Sequence, residues 1–202
     1  MPAGRPPIVD ALRDATAVHH RAVEEAADAL GDGLEGYVQF LELQYGFYAG
    51  LEPALARAPG LAALGLDLEP RRRAHLFAAD LLHLGRHPGA LPRCRDLPRV
   101  DTTPRALGAA YVLEGSTLGG IFILAQLRRS LGVAPGAGAS GVAPYGAGLR
   151  DMWVAFTDVL DRHVRANPGD EEPMVHGAQE TYAKLLAWMR SNRDRDRRPA
   201  NG

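Results

Sequence analysis

Residues 107–131 hold the feature that most constrains this chain. Leu107, Ala110, Val112 and Leu113 lead in, and Ile121, Leu124, Leu127 and Leu131 follow, a spacing that reads as one long apolar helix. In its middle stands Tyr111-Val112-Leu113-Glu114-Gly115-Ser116-Thr117-Leu118-Gly119-Gly120, with glycines and hydroxyl residues where a core helix would carry Ala or Leu. Each interior glycine costs roughly 1 kcal/mol relative to Ala, so the glycines call for a reason. Without a Cβ, backbone can lie directly on a flat ligand, and Gly beside Ser permits a bend. Close packing against a neighbouring helix through small residues is the other reason, and spacing alone leaves both open. A helix apolar nearly all round is expected to be sandwiched between others.

The rest of the chain reads as further helices. Pro7 suits the first helical position, where its missing N–H is not needed, and a helix is expected over Ile8–Leu30, ended by Gly31-Asp32-Gly33. Others follow over Leu34–Arg57, rich in aromatics, Arg71–Arg86, Leu149–Ala166 and Glu171–Asn192. Thr102 or Thr103 is placed to cap the central helix, with Pro104 in its first turn. The glycine-rich segment 132–148 reads as an ordered loop or a mobile flap. No stretch alternates like a strand. The expectation is an all-α single domain over 1–202, with 1–7 and 193–202 as flexible tails.

Composition narrows the function. Hydrophobic residues make up 46% and charged residues 23%, and the net charge of −1 gives no pull toward nucleic acid or a membrane surface. The lone Cys94 excludes an internal disulfide and a zinc–cysteine site. No apolar signal core opens the chain and no uninterrupted apolar run approaches the 18 or so residues of a span, so a reducing cytoplasm is the expected home. A phosphate-binding Walker loop, H-E-x-x-H and G-x-S-x-G are all absent. Asp80-x-x-His83 stands without the second copy a di-iron bundle needs. His75, His83, His87, His163 and His176 have no evident partner in sequence.

Tyr111–Gly120, preceded by Leu107-Gly108-Ala109-Ala110, resembles the distal-helix motif of bacterial biliverdin-producing haem oxygenases, above all those associated with bacterial phytochromes. A second match lies in Leu12–Glu24. A bound iron porphyrin needs an axial base, and neutral imidazole is the usual one. His19 and His20 compete. Periodicity favours His19, nearly in line with Leu12, Val23 and Leu30. The family pattern favours His20, because Ala15-Thr16 precedes it and Glu24 follows four residues later.

The resemblance therefore implies His20 as the iron ligand, Glu24 as the partner orienting its ring, and Arg13 and Tyr111 near the haem propionates. The loops add Arg93, Arg95 and Arg99 without ranking them. Gly115, Gly119 and Gly120 would give close backbone approach, and Ser116 and Thr117 would hold water near oxygen. The implied substrate and cofactor is haem b, opened with O2 to biliverdin, carbon monoxide and ferrous iron. Electrons would come from a ferredoxin or flavoprotein reductase, and a phytochrome would accept biliverdin. Two positions depart from relatives: Ser116 stands where animal-type members carry Asp, and Ile121 where many carry Gln. Both bear on turnover more than on binding, so a haem- or tetrapyrrole-binding protein of the same fold without efficient turnover is the alternative.

Overall fold

Pro7 does open the first helix: α1 spans Pro7–Asp28, with Pro6 before it. In the computed structural model, which describes residues 6–31 and 33–193, five more α-helices follow and no strand forms among the described residues. They are α2 (Leu34–Ala56), α3 (Ala74–His83), α4 (Thr103–Leu131), α5 (Leu149–Ala166) and α6 (Glu171–Arg193). The expected tails fall largely outside the described residues. The all-α expectation holds.

α1 and α3 end at Asp28 and His83, short of the expected Leu30 and Arg86, and two helix starts differ from the sequence reading in position or capping. α3 begins at Ala74 and not Arg71, because Arg72 is extended (ψ 138°) and Glu52 of α2 reaches across to the new helix start. Its Oε1 accepts the N–H groups of Arg73 (2.6 Å) and Ala74 (3.1 Å). A carboxylate from another helix thus meets the unpaired donors that a local Ser or Asp would otherwise take. At the start of α4, neither threonine caps by its side chain; the Thr103 hydroxyl donates to the Pro59 carbonyl at 3.2 Å.

The core gathers Leu12, Phe47, Leu51, Phe77, Leu107, Phe156, Leu160 and Met174, all essentially inaccessible. α1 and α4 each pack against α6, and α2 packs on α3. Small residues set the α4–α6 distance. A Cβ at Gly108 would lie 2.0 Å from the Met174 carbonyl oxygen, and one at Gly177 would lie 2.4 Å from that of Arg105. Close helix packing through glycine is therefore real here, but one turn and more before the motif that raised the question.

The expected sandwich holds for only half of α4. From Pro104 to Val112 every residue but Arg105 is buried, whereas Leu118, Ile121, Phe122 and Ile123 are 38%, 53%, 79% and 41% exposed. By length and composition α4 is the one described helix that qualifies as a membrane span, and half of the qualifying window is buried inside the protein.

The 132–148 segment is tied down from several sides. Tyr37 donates to the Gly138 carbonyl (2.7 Å), and Asp80 accepts the N–H groups of Ser140 (2.8 Å) and Gly141 (2.6 Å). Asp80 is thereby accounted for as a loop anchor.

Candidate functional site

α1 and α4 both lean on α6, and a cleft of about 470 Å³ opens between them. That volume lies within the range of cofactor sites. One wall is α1, with Arg13, Thr16, Ala17, His20, Arg21 and Glu24; the other is α4, with Tyr111, Gly115 and Leu118. Trp153 of α5 and Tyr182 of α6 complete it. A second cleft of about 560 Å³ lies further along the same two helices, between Ala27 and Asp28 of α1, Tyr37 and Phe40 of α2, and Ile123 and Leu127 of α4.

The helix geometry separates the two histidines. His20 lines the cleft and is half exposed; its Nδ1 lies 3.2 Å from Glu24 Oε2, and its ring stands edge-on to Tyr182 at 5.8 Å. An imidazole held by a carboxylate at Nδ1 presents its Nε2 lone pair outward. His19 lines neither cleft, and its Nδ1 is buried without a hydrogen-bond partner. The reason is angular: His19 shares its side of α1 with Leu12 and Ala26, both in the core, whereas His20 shares its side with Arg13, Thr16 and Glu24.

Arg13 reaches the cleft and pairs within its own helix with Asp10 (3.3 Å) and Asp14 (3.2 Å). Such exposed pairs are weak and leave the guanidinium available to an anion. Arg21 lies on the same rim. Tyr111 is 7% exposed, lines the cleft and packs against the Trp153 ring at 6.0 Å.

The motif glycines divide. A Cβ at Gly115 or Gly119 would meet nothing within 4 Å, and Gly115 lines the cleft. A Cβ at Gly120 would lie 1.8 Å from the Val142 carbonyl oxygen. Gly120 is thus a packing glycine, turned from the cleft toward the 132–148 loop, which corrects its expected place beside the ligand.

Both hydroxyls make hydrogen bonds within the protein. Thr117 is buried, and its Oγ1 donates to the Glu114 carbonyl at 2.6 Å. Ser116 Oγ donates to the Leu113 carbonyl (2.8 Å) and accepts from Arg73 Nη1 (2.6 Å), with Tyr48 OH at 3.0 Å. Its one proton is committed to Leu113, so Tyr48 is the donor to Ser116.

Arg73 was not visible as a functional candidate in the sequence. It is 4% exposed, donates to Tyr48 OH (2.8 Å) and to the Gly141 carbonyl (2.5 and 2.9 Å), and lies over the Tyr48 and Phe77 rings. Burial pushes the Tyr48 phenol up, against the lowering pull of Arg73. Arg71 makes a parallel set of bonds: its Nη1 donates to Glu114 Oε2 at 2.5 Å and to the Met152 carbonyl at 3.2 Å, and Tyr145 OH donates to Glu114 Oε1 at 2.8 Å. Burial raises the Glu114 carboxyl, offset in part by Arg71. The Arg71-Arg72-Arg73 triplet and a Glu inside an apolar helix were the available signals. Arg93 and Arg95 border a separate groove beside Lys184 and Trp188, and Arg99 lies near Glu180. His163 is buried and paired with Asp170 at 2.7 Å. No group of three or more metal-ligating side chains occurs among the described residues.

The chain is an all-helical protein with an imidazole on one wall of a cleft and Gly115, between Tyr111 and Leu118, on the other. The heme oxygenase family model matches residues 7–191, and the chain belongs to that family of haem-degrading oxidoreductases. The fold is similar to that of the NO- and CO-bound heme oxygenase from Neisseria meningitidis, at a TM-score of 0.79 and 24% identity over 96% of this chain and 94% of that one. No curated protein matches the chain in sequence.

Proposed function

We propose that this protein opens haem b with O2 to biliverdin, carbon monoxide and ferrous iron, with haem as both substrate and cofactor. The observation that carries the reading is the placement of His20 and Gly115 on facing walls of one cleft. The residues fit the group: a half-exposed imidazole whose Nδ1 is held by Glu24 suits an axial base, and the open Cβ direction at Gly115 and Gly119 suits a flat ring. In this reading His20 binds iron, and Glu24 fixes its tautomer and ring orientation. Arg13 and Tyr111 meet the propionates at the cleft rim. When bound, the iron supplies the redox chemistry that activates oxygen.

The chain's own contribution on the α4 side is positional. Arg73 and Tyr48 hold Ser116, and Ser116 holds the Leu113 carbonyl, so this turn of α4 is fixed beside Gly115. A ferredoxin or flavoprotein reductase would supply electrons in the cytoplasm, and a phytochrome would accept the biliverdin.

A specific observation favours a second reading, haem binding without efficient turnover. The position of the animal-type Asp is taken by Ser116, whose proton is committed to Leu113, and Thr117 is buried. Reducing the haem complex anaerobically and then admitting oxygen with an electron donor separates the two. A biliverdin spectrum supports the oxygenase, and a stable haem spectrum after repeated reduction supports the second reading.

A further inference from the structure

Phe122 is 79% exposed, more than any other large apolar side chain described. Its place on α4 is not random. Tyr111, Gly115, Leu118 and Phe122 are spaced four, three and four residues apart, which is one stripe of a helix. The first three line the cleft that contains His20. On the adjoining row, Gly119 has open space before it, and Ile123 and Gln126 line the second cleft. Phe122 therefore stands on α4 between the stretches that line the two clefts, a member of neither lining, about one turn past Gly119 and two past Gly115. Cα–Cβ bonds on a helix tilt toward its N-terminus, which aims Phe122 back over the turn that holds Leu118 and Gly119.

We propose that Phe122 is a ligand-contact residue: its ring packs against the tetrapyrrole lying over Gly115 and Gly119, holds the macrocycle in place along α4, and thereby selects which edge faces the oxygen side. This rests on the haem reading above and adds to it the group that limits how far the ring slides. An aromatic ring gains both apolar contact and favourable ring–ring geometry against such a partner. Val18 is the internal contrast. It is 73% exposed but lies on the side of α1 away from the cleft-lining residues, where no ligand would cover it.

The test is titration of the full-length apo-protein with haem, followed at the Soret band, for the wild type, Phe122→Ala, Phe122→Leu and Val18→Ala, with apo melting recorded for each. The inference predicts no loss of apo melting temperature for any of them, because both residues are already in water and Ala and Leu favour a helix at least as well. It predicts about a tenfold weaker haem affinity for Phe122→Ala, equal to about 1.4 kcal/mol, substantial recovery in Phe122→Leu, and no change in Val18→Ala. A shifted ratio of biliverdin isomers in Phe122→Ala supports it further. Wild-type protein that takes up no haem overturns the haem reading and this inference with it. Wild-type protein that binds haem while Phe122→Ala binds it equally well overturns the inference alone. So does a Phe122→Ala variant impaired only in turnover with a protein electron donor, which would make this ridge a partner surface.

Discussion

Gly119 and Gly120 are neighbours in sequence, yet replacing each by Ala should move stability in opposite directions. At Gly120 the new Cβ would be built 1.8 Å from the Val142 carbonyl oxygen and 2.9 Å from its carbon. Both are backbone atoms, in a loop that Asp80 and Arg73 hold at Gly141. Relief needs the loop or the helix to shift, at a typical overpacking cost of about 1–3 kcal/mol or more. The helix-propensity gain of roughly 1 kcal/mol for Gly→Ala offsets only part of this. A net loss on the order of 1–2 kcal/mol lowers the melting temperature by roughly 2–8 °C for a domain of this size.

At Gly119 nothing lies within 4 Å of the new methyl, so only the propensity gain remains. The apo-protein should melt up to about 2–4 °C higher. The same methyl would stand on the side of α4 proposed to meet the ligand, so Gly119→Ala should weaken haem uptake while stabilising the apo fold. Apo melting and haem titration on both variants decide the matter. A Gly120→Ala protein that melts at or above the wild type, or a Gly119→Ala protein that melts below it, would refute the division of labour between the two glycines.

Three further outcomes are expected. His20→Ala should leave apo melting nearly unchanged, since the side chain is half exposed, and should remove the axially ligated haem spectrum; His19→Ala should retain that spectrum, and its loss there would return the ligand role to His19. Arg13→Glu should weaken haem binding or alter the biliverdin isomer, because it places an anion beside the proposed propionates; unchanged affinity and product would reduce Arg13 to a surface residue.

Glu52 gives a pH prediction in the same set. Burial holds its carboxyl above the usual 4.5, offset in part by the N–H groups it accepts. The folded state therefore keeps a proton that the unfolded chain releases, so this group's stabilisation is complete below the unfolded pKa and is lost as pH rises through the folded one. In urea unfolding at several pH values, the stability of Glu52→Gln relative to wild type should rise with pH across that window, and a flat or falling difference contradicts it.

Periodicity and proline placement made the helices legible. α1, α2, α4, α5 and α6 begin and end within a few residues of where apolar spacing put them. The start of α3 was not legible, because the capping carboxylate comes from Glu52, more than twenty residues upstream. The cleft was partly legible. His20, Glu24, Arg13, Tyr111 and Gly115 do converge, and all lie in two short stretches whose local pattern carries the information. Arg73, Tyr48 and the Arg71–Glu114–Tyr145 bonds were not legible, because each joins segments far apart in the chain through a side chain with no local periodicity. A buried arginine in particular looks like any surface arginine until the rings and carbonyl groups around it are known.

The glycines of α4 do not act as one unit, because a helix turns about 100° per residue. Adjacent glycines must therefore face different surroundings. Gly108 and Gly120 are needed by Met174 and Val142, whose carbonyl oxygens leave no room for a Cβ. Gly115 and Gly119 have open space before them, so packing gives no reason for their lost helix propensity. That unexplained cost, at Gly115 in the cleft wall and at Gly119 one turn on, is the strongest local sign that something flat belongs there. Phe122 leaves a large apolar ring in water a turn further along α4. Both features sit on one face of one helix, and a single ligand lying across that face would account for both.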